Sequence, residues 1–133
     1  MSAADYNDQA PKNLISIITF NVTATQSAEG GTIPWINIGK ANEEILNLID
    51  AGEIVIPEHE ITVAVDYPLS NPKSFQLYSS IGFSRKLFLI ELREKFMAFA
   101  RSESFDINTL DLVALDVYKT DSGKIEITLD IDL

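Results

Sequence analysis

Hydrophobic and polar residues alternate along this chain in two periods. A period of two marks strands, because successive side chains of an extended chain face opposite ways. Over Leu14 to Thr23, Ile18, Phe20 and Val22 share one face and Thr19, Asn21 and Thr23 the other. Ile15 and Ile17 make the first half apolar on both faces, which predicts a central strand. Glu60 to Asp66 sets Ile61, Val63 and Val65 against Thr62, Ala64 and Asp66, and Ser74 to Ser79 sets Phe75 and Leu77 against Gln76 and Tyr78. Leu110 to Tyr118 places Val113, Leu115 and Val117 opposite Leu112, Ala114 and Asp116. The cleanest alternation is the last, from Lys124 to Leu133, with Ile125, Ile127, Leu129, Ile131 and Leu133 against Glu126, Thr128, Asp130 and Asp132. Thr120-Asp121-Ser122-Gly123 before it reads as a hairpin turn.

A period of 3.6 marks helices. Lys40 to Ala51 carries Ala41, Ile45, Leu48 and Ile49 on one stripe, acids Glu43 and Glu44 in its first turn, and Gly52 as a stop. Arg85 to Arg101 carries Phe88, Leu89, Leu92, Phe96 and Phe99 on one stripe, with Ser84 placed to cap it. Burying each of these large side chains stabilises the fold by ~1.5–3 kcal/mol before conformational entropy is charged. Leu87, Ile90 and Met97 lie off the stripe, where they can meet a loop or form a subunit contact. Ile54 to Ile56 is a short apolar run closed by Pro57, and Pro68 and Pro72 make Tyr67 to Pro72 a connection.

The order strand, helix, strand, strand, helix, strand, strand predicts an α+β domain. Two helices pack on one face of a mainly antiparallel five-stranded sheet. The expected arrangement is the split βαβ (ferredoxin-like) order β-α-β-β-α-β with an added C-terminal strand, giving spatial order 5-4-1-3-2. Residues 1–12 are expected to be a flexible tail and 13–133 a single domain, which suits a chain of 133 residues.

Composition narrows the chemistry. The absence of cysteine excludes disulfides, thiolate metal sites and cysteine catalysis. No apolar leader or membrane-length run is visible, so the expectation is a cytoplasmic chain that does not enter membranes. Net charge is −10, unevenly spread. Residues 1–72 hold two basic and ten acidic side chains, residues 73–101 six and two, and residues 102–133 two and eight. That field opposes nucleic acid and favours a basic protein partner. The segment Lys73 to Tyr78 also lacks the glycines and aromatic spacing of RNA-binding strands.

The candidate motifs are weak. Gly39-Lys40 before a helix fails as a phosphate loop, because Ala41 follows and Pro34 stands where the first glycine belongs. Asp106, Asn108 and Asp111 fail as a calcium loop, with Val117 in place of the final glutamate. His59 is the sole histidine and reads as a solvated loop residue. Asp116, Asp130 and Asp132 can share a sheet face if the last two strands form a hairpin. A solvated face is the plainer account of them. Trp35, in the long connection Ala24 to Gly39, is expected to cap the core, with a partner anchor as the alternative.

Two functions follow as expectations. The first is a non-enzymatic protein-interaction module, an acidic accessory or inhibitory subunit without cofactor or metal that self-associates, using Leu87, Ile90 and Met97. The second is a small enzyme or ligand-binding domain. Its pocket lies between the 24–39 loop and the 66–71 connection and is built from Trp35, His59, Asp66, Tyr67 and Arg85.

Overall fold

A computed structural model describes residues 12–24 and 31–132, with the side chain of Lys12 excluded. The expected tail up to Pro11, the Glu29-Gly30 part of the long connection and Leu133 lie outside the described residues. The strands are β1 (Lys12–Thr19), β2 (Val22–Thr23), β3 (Thr32–Ile33), β4 (Ile36–Asn37), β5 (Ile54–Ile56), β6 (Glu60–Val65), β7 (Lys73–Tyr78), β8 (Phe83–Ser84), β9 (Asp111–Thr120) and β10 (Ile125–Asp132). The helices are α1 (Ala41–Glu44) and α2 (Arg85–Glu103). The fold is α+β.

The main sheet has six strands in the order β1-β9-β10-β6-β7, with β4 also pairing β9. Pairing is antiparallel except between β10 and β6. This differs from the expected split βαβ (ferredoxin-like) order 5-4-1-3-2 at one junction. The neighbours β10–β9, β9–β1 and β6–β7 are as expected, but the β6–β7 hairpin docks on β10 through β6 rather than on β1 through β7. Inward-facing chemistry explains the choice. β6 and β10 bring Ile61, Val63, Ile125 and Ile127 to the sheet centre, each at most 4% exposed. At the inward position opposite Val117, β1 offers only Ser16. β1 is therefore an edge among the described residues, and Leu14, Ile15 and Ile17 are 50–58% exposed. Apolar residues on both faces were a misleading sign of a central strand.

The β9–β10 hairpin closes as the sequence predicts. Gly123 has φ +87°, its amide donates to the Thr120 carbonyl at 2.8 Å, and Thr120 donates to Lys124 at 2.9 Å. The expected split of faces on β9 holds only from Ala114 onward. A bulge between Leu112 and Ala114 turns Leu112 inward with Leu115 and Val117, and all three are buried.

Helix α2 seals the inner face. Ser84 Oγ accepts from the Leu87 amide at 3.0 Å and starts the helix; Ser104, at φ 60°, ends it. Phe88, Leu89, Leu92 and Phe96 are at most 1% exposed and join the core of the strands. Phe99 extends this contact, with its ring 6.0 Å from Phe75 on β7. The first helix is shorter than the sequence predicts. After α1 the chain tightens into a 3₁₀ turn over Ile45–Asn47, and then Leu48 takes an extended conformation. Leu48 bridges Val22, and the Ile49 amide donates to the Asn21 carbonyl at 2.9 Å. Strand contacts thus outcompete the last two helical turns, leaving Ile49 39% exposed.

Candidate functional site

The outer face of the sheet carries the polar half of each alternation. The pairing register sets one row across it as Ile17, Asp116, Thr128, Ala64 and Ser74. A parallel row runs through Leu14, Tyr118, Glu126, Thr62 and Gln76. The acids Glu60, Asp66, Asp116, Glu126 and Asp130 belong to this face by alternation, and its strands place no lysine or arginine on it among the described side chains. Lys124 stands beyond its far end, where it lines a small hollow of about 240 Å³ with Glu58, Glu60 and Gln76. The Tyr78 phenol near that end is held above the usual tyrosine range by desolvation first and by the Glu60 carboxylate second.

A larger cleft, about 510 Å³, opens at the other end of this face. Its origin is the one parallel pair. β10 and β6 stay together over Glu126–Thr128 and Thr62–Ala64. Past Thr128, β10 continues beside β9 to Asp132, whereas β6 ends at Val65 and the chain turns away. Ala64, Ser74 and Thr128 form one sheet row beneath the gap, and small Ala64 leaves room at its centre. Asp66 and Asp130 bring carboxylates to it, Tyr67 and Pro72 wall it, and Val65, Leu129 and Ile131 give it apolar surface.

The wall is held by the end of α2. Glu103 Oε1 accepts from the Ser70 amide at 2.8 Å and the Ser70 hydroxyl at 3.0 Å, and its other oxygen lies 3.4 Å from Lys73 Nζ. The Ser70 amide chiefly holds the Glu103 carboxyl below the usual glutamate range, against some desolvation, with the Ser70 hydroxyl and Lys73 adding. A depressed folded-state pKa means the tie is complete above the ordinary carboxylate range and is lost as pH falls through the lowered value. A pH titration of the Ser70 amide resonance should therefore show a midpoint below that of free glutamate. Glu103→Gln should abolish the titration at Ser70; a midpoint at or above the free value would contradict the assignment.

The sequence-predicted pocket residues do not converge. Asp66 and Tyr67 line the cleft; Trp35, His59 and Arg85 do not. The cleft therefore lies between the 66–72 connection and β10, and none of the described residues of the 24–39 loop lines it. Arg85 is structural: its Nε donates to the Thr19 carbonyl at 2.8 Å, and its guanidinium pairs with Glu53 at 2.6 Å and reaches the Asp50 carbonyl. His59 is an exposed loop residue whose carbonyl accepts from Ser79. Trp35 does not cap the core. It is 42% exposed, while its neighbours Ile36 and Ile38 turn inward and are at most 1% exposed. Leu87 packs against the core, Met97 is half-buried and Ile90 is 37% exposed, so the three form no common exposed patch.

Of the three acids singled out on the last hairpin, Asp116 faces Thr128 and Asp130 faces Ala114, one step diagonally away, whereas Asp132 pairs with Asp111 beyond the bulge. Among the described residues no three His, Asp or Glu side chains stand together to hold a metal. The cleft's polar partners Ser74, Thr128 and Asp130 went unread in the sequence as a group, because only the parallel register of β10 on β6 brings them together. No helix among the described residues is long and apolar enough to cross a membrane. Comparison with known proteins found no counterpart: no family model matches the chain, and no curated protein or solved structure does.

Proposed function

We propose that this protein is a non-enzymatic interaction module, an acidic accessory or inhibitory subunit that binds a basic protein partner through the outer face of its sheet. The observation that carries this reading is the asymmetry of the sheet. α2 buries one face, and the other presents Glu60, Asp66, Asp116, Glu126 and Asp130. An extended like-charged surface raises the encounter rate with a basic partner and makes binding salt-sensitive. Affinity capture with wild type and with Asp116→Lys/Glu126→Lys tests this. A partner held by wild type at low salt should be lost from the double variant and kept by Glu94→Lys, on the exposed side of α2. Equal capture by all three rejects the reading.

Self-association belongs to the same proposal, but its seat is β1 rather than Leu87, Ile90 and Met97. Leu14, Ile15 and Ile17 form an exposed apolar row along an edge strand among the described residues. Such an edge is a template for pairing, and a lysine within it blocks that pairing. Sedimentation equilibrium should show a dimer that Ile17→Lys weakens roughly tenfold or more. A wild-type chain that stays monomeric at every concentration removes this part.

A further inference from the structure

We propose that the cleft between the parting ends of β6 and β10 is a binding site for an organic cation, an ammonium or guanidinium on a short aliphatic stem. The first argument is size. At about 510 Å³ the cleft lies inside the roughly 300–1,000 Å³ range of small-molecule sites. The second is its two-part lining. Val65, Leu129, Ile131 and the Tyr67 ring offer surface for a stem, while Asp66 and Asp130 offer negative charge for a head group.

The third argument is which charges are already engaged. Lys73 also lines the cleft, but its ammonium lies 3.4 Å from Glu103 and 5.6 Å from the centre of the Phe99 ring, on the α2 side of the sheet. Among the described residues neither the Asp66 nor the Asp130 side chain makes an ion pair or hydrogen bond. The lining thus has an engaged cation and two carboxylates without a described partner. An anionic ligand would meet the latter directly. A metal ion would lack a third carboxylate or imidazole among the described residues. A cationic head group satisfies both acids, the Thr128 and Ser74 hydroxyls can accept further N–H bonds, and the Tyr67 ring can stack on a guanidinium.

This inference does not rest on the partner reading above, because the variants at Asp116 and Glu126 leave Asp66 and Asp130 in place. The cation can be a free amine or a basic side chain of a bound peptide, and the two sources share the same head group. The test is a backbone-amide NMR titration of the full chain with butylguanidinium, with butylurea as the uncharged counterpart. Saturable shifts are expected at Ala64 to Tyr67, Lys73, Ser74 and Thr128 to Ile131, and butylurea should bind more weakly. Asp130→Asn should weaken butylguanidinium roughly threefold to fivefold, the scale of an exposed ion pair. Ala64→Leu, which adds bulk on the outer face without touching the core, should abolish binding while the amide spectrum stays folded. An acetylated, amidated Gly-Arg-Gly peptide then separates the sources: binding at least as tight as butylguanidinium assigns the site to a side chain, and exclusion of the peptide assigns it to a free amine. Non-saturating shifts, equal binding of butylurea, or indifference to both variants would overturn the proposal.

Discussion

Phe96→Ala should lower the unfolding free energy by about 3–5 kcal/mol, the usual cost of truncating a buried aromatic. Phe96, on the inner side of α2, is fully buried. Its ring meets Phe99 edge-on at 5.9 Å and Phe105 at 6.4 Å, so truncation removes two aromatic contacts as well as apolar area. Small domains hold about 5–15 kcal/mol in total, so this one change consumes a large share. Urea unfolding should show the midpoint falling by on the order of 2 M with little change in slope. Leu46→Ala is the matched control. Leu46 is apolar but 85% exposed, and its truncation should stay within about 0.5 kcal/mol. Equal losses at the two positions would mean that α2 does not seal the sheet.

The same contrast shows what could be read from residue order. The stripe Phe88, Leu89, Leu92 and Phe96 is a property of one segment, and periodicity alone put it in the core. The hairpin at Thr120 to Lys124 is equally local, because its glycine and hydroxyl residues close the turn by themselves. The docking of β6 on β10 is not local. Its partners are more than sixty residues apart, and the choice between β1 and β10 as neighbour depends on which strand can fill inward positions once the sheet forms. Ile15 and Ile17 looked central by hydrophobicity, yet Ser16 between them occupies the inward position. The cleft inherits this difficulty. Asp66 and Tyr67 were visible as residues at a strand end, but Thr128 and Asp130 join them only through the parallel register. Trp35 illustrates the reverse error, a residue type that is usually buried sitting on the outward side of a two-residue strand's approach.

Structure and charge bear on function together. A face with Glu60, Asp116, Glu126 and Asp130 on its strands and Asp66 just past the end of β6 is poorly suited to pairing with itself, since like charges opposite one another are destabilising. In the proposed reading, self-association therefore runs along the backbone edge of β1 and partner binding through the acids of β6, β9 and β10, with Leu14 and Ile17 at the margin of the same face. The cleft stands at the end of the sheet remote in register from the Tyr78 end, and it is framed by Glu103 of α2 through Ser70. Anything that shifts α2 lengthwise also shifts that wall.

Gly82 stands two residues before the Ser84 cap of α2, and Gly82→Ala should cost about 2–5 kcal/mol. Two separate effects add. Gly82 has φ +84°, a conformation that costs an L-residue ~1–2 kcal/mol. A Cβ there would also lie 2.8 Å from the Ile56 carbonyl oxygen and 3.1 Å from Pro57 Cα, both backbone atoms that cannot rotate away. Forcing β5 aside adds an overpacking cost of ~1–3 kcal/mol. β5 pairs with β8 immediately after the glycine, and β8 runs straight into the Ser84 cap of α2. The melting temperature should drop by on the order of 10 °C. Gly52→Ala is the control, since Gly52 has no atom within 4 Å of a built Cβ and no positive φ, and its melting temperature should scarcely move. Gly82→Asn separates the two effects, because asparagine tolerates positive φ but still carries a Cβ. It should remain destabilised by most of the packing cost. Recovery to wild-type stability in Gly82→Asn would show that the close approach of β5 imposes no constraint on the helix start.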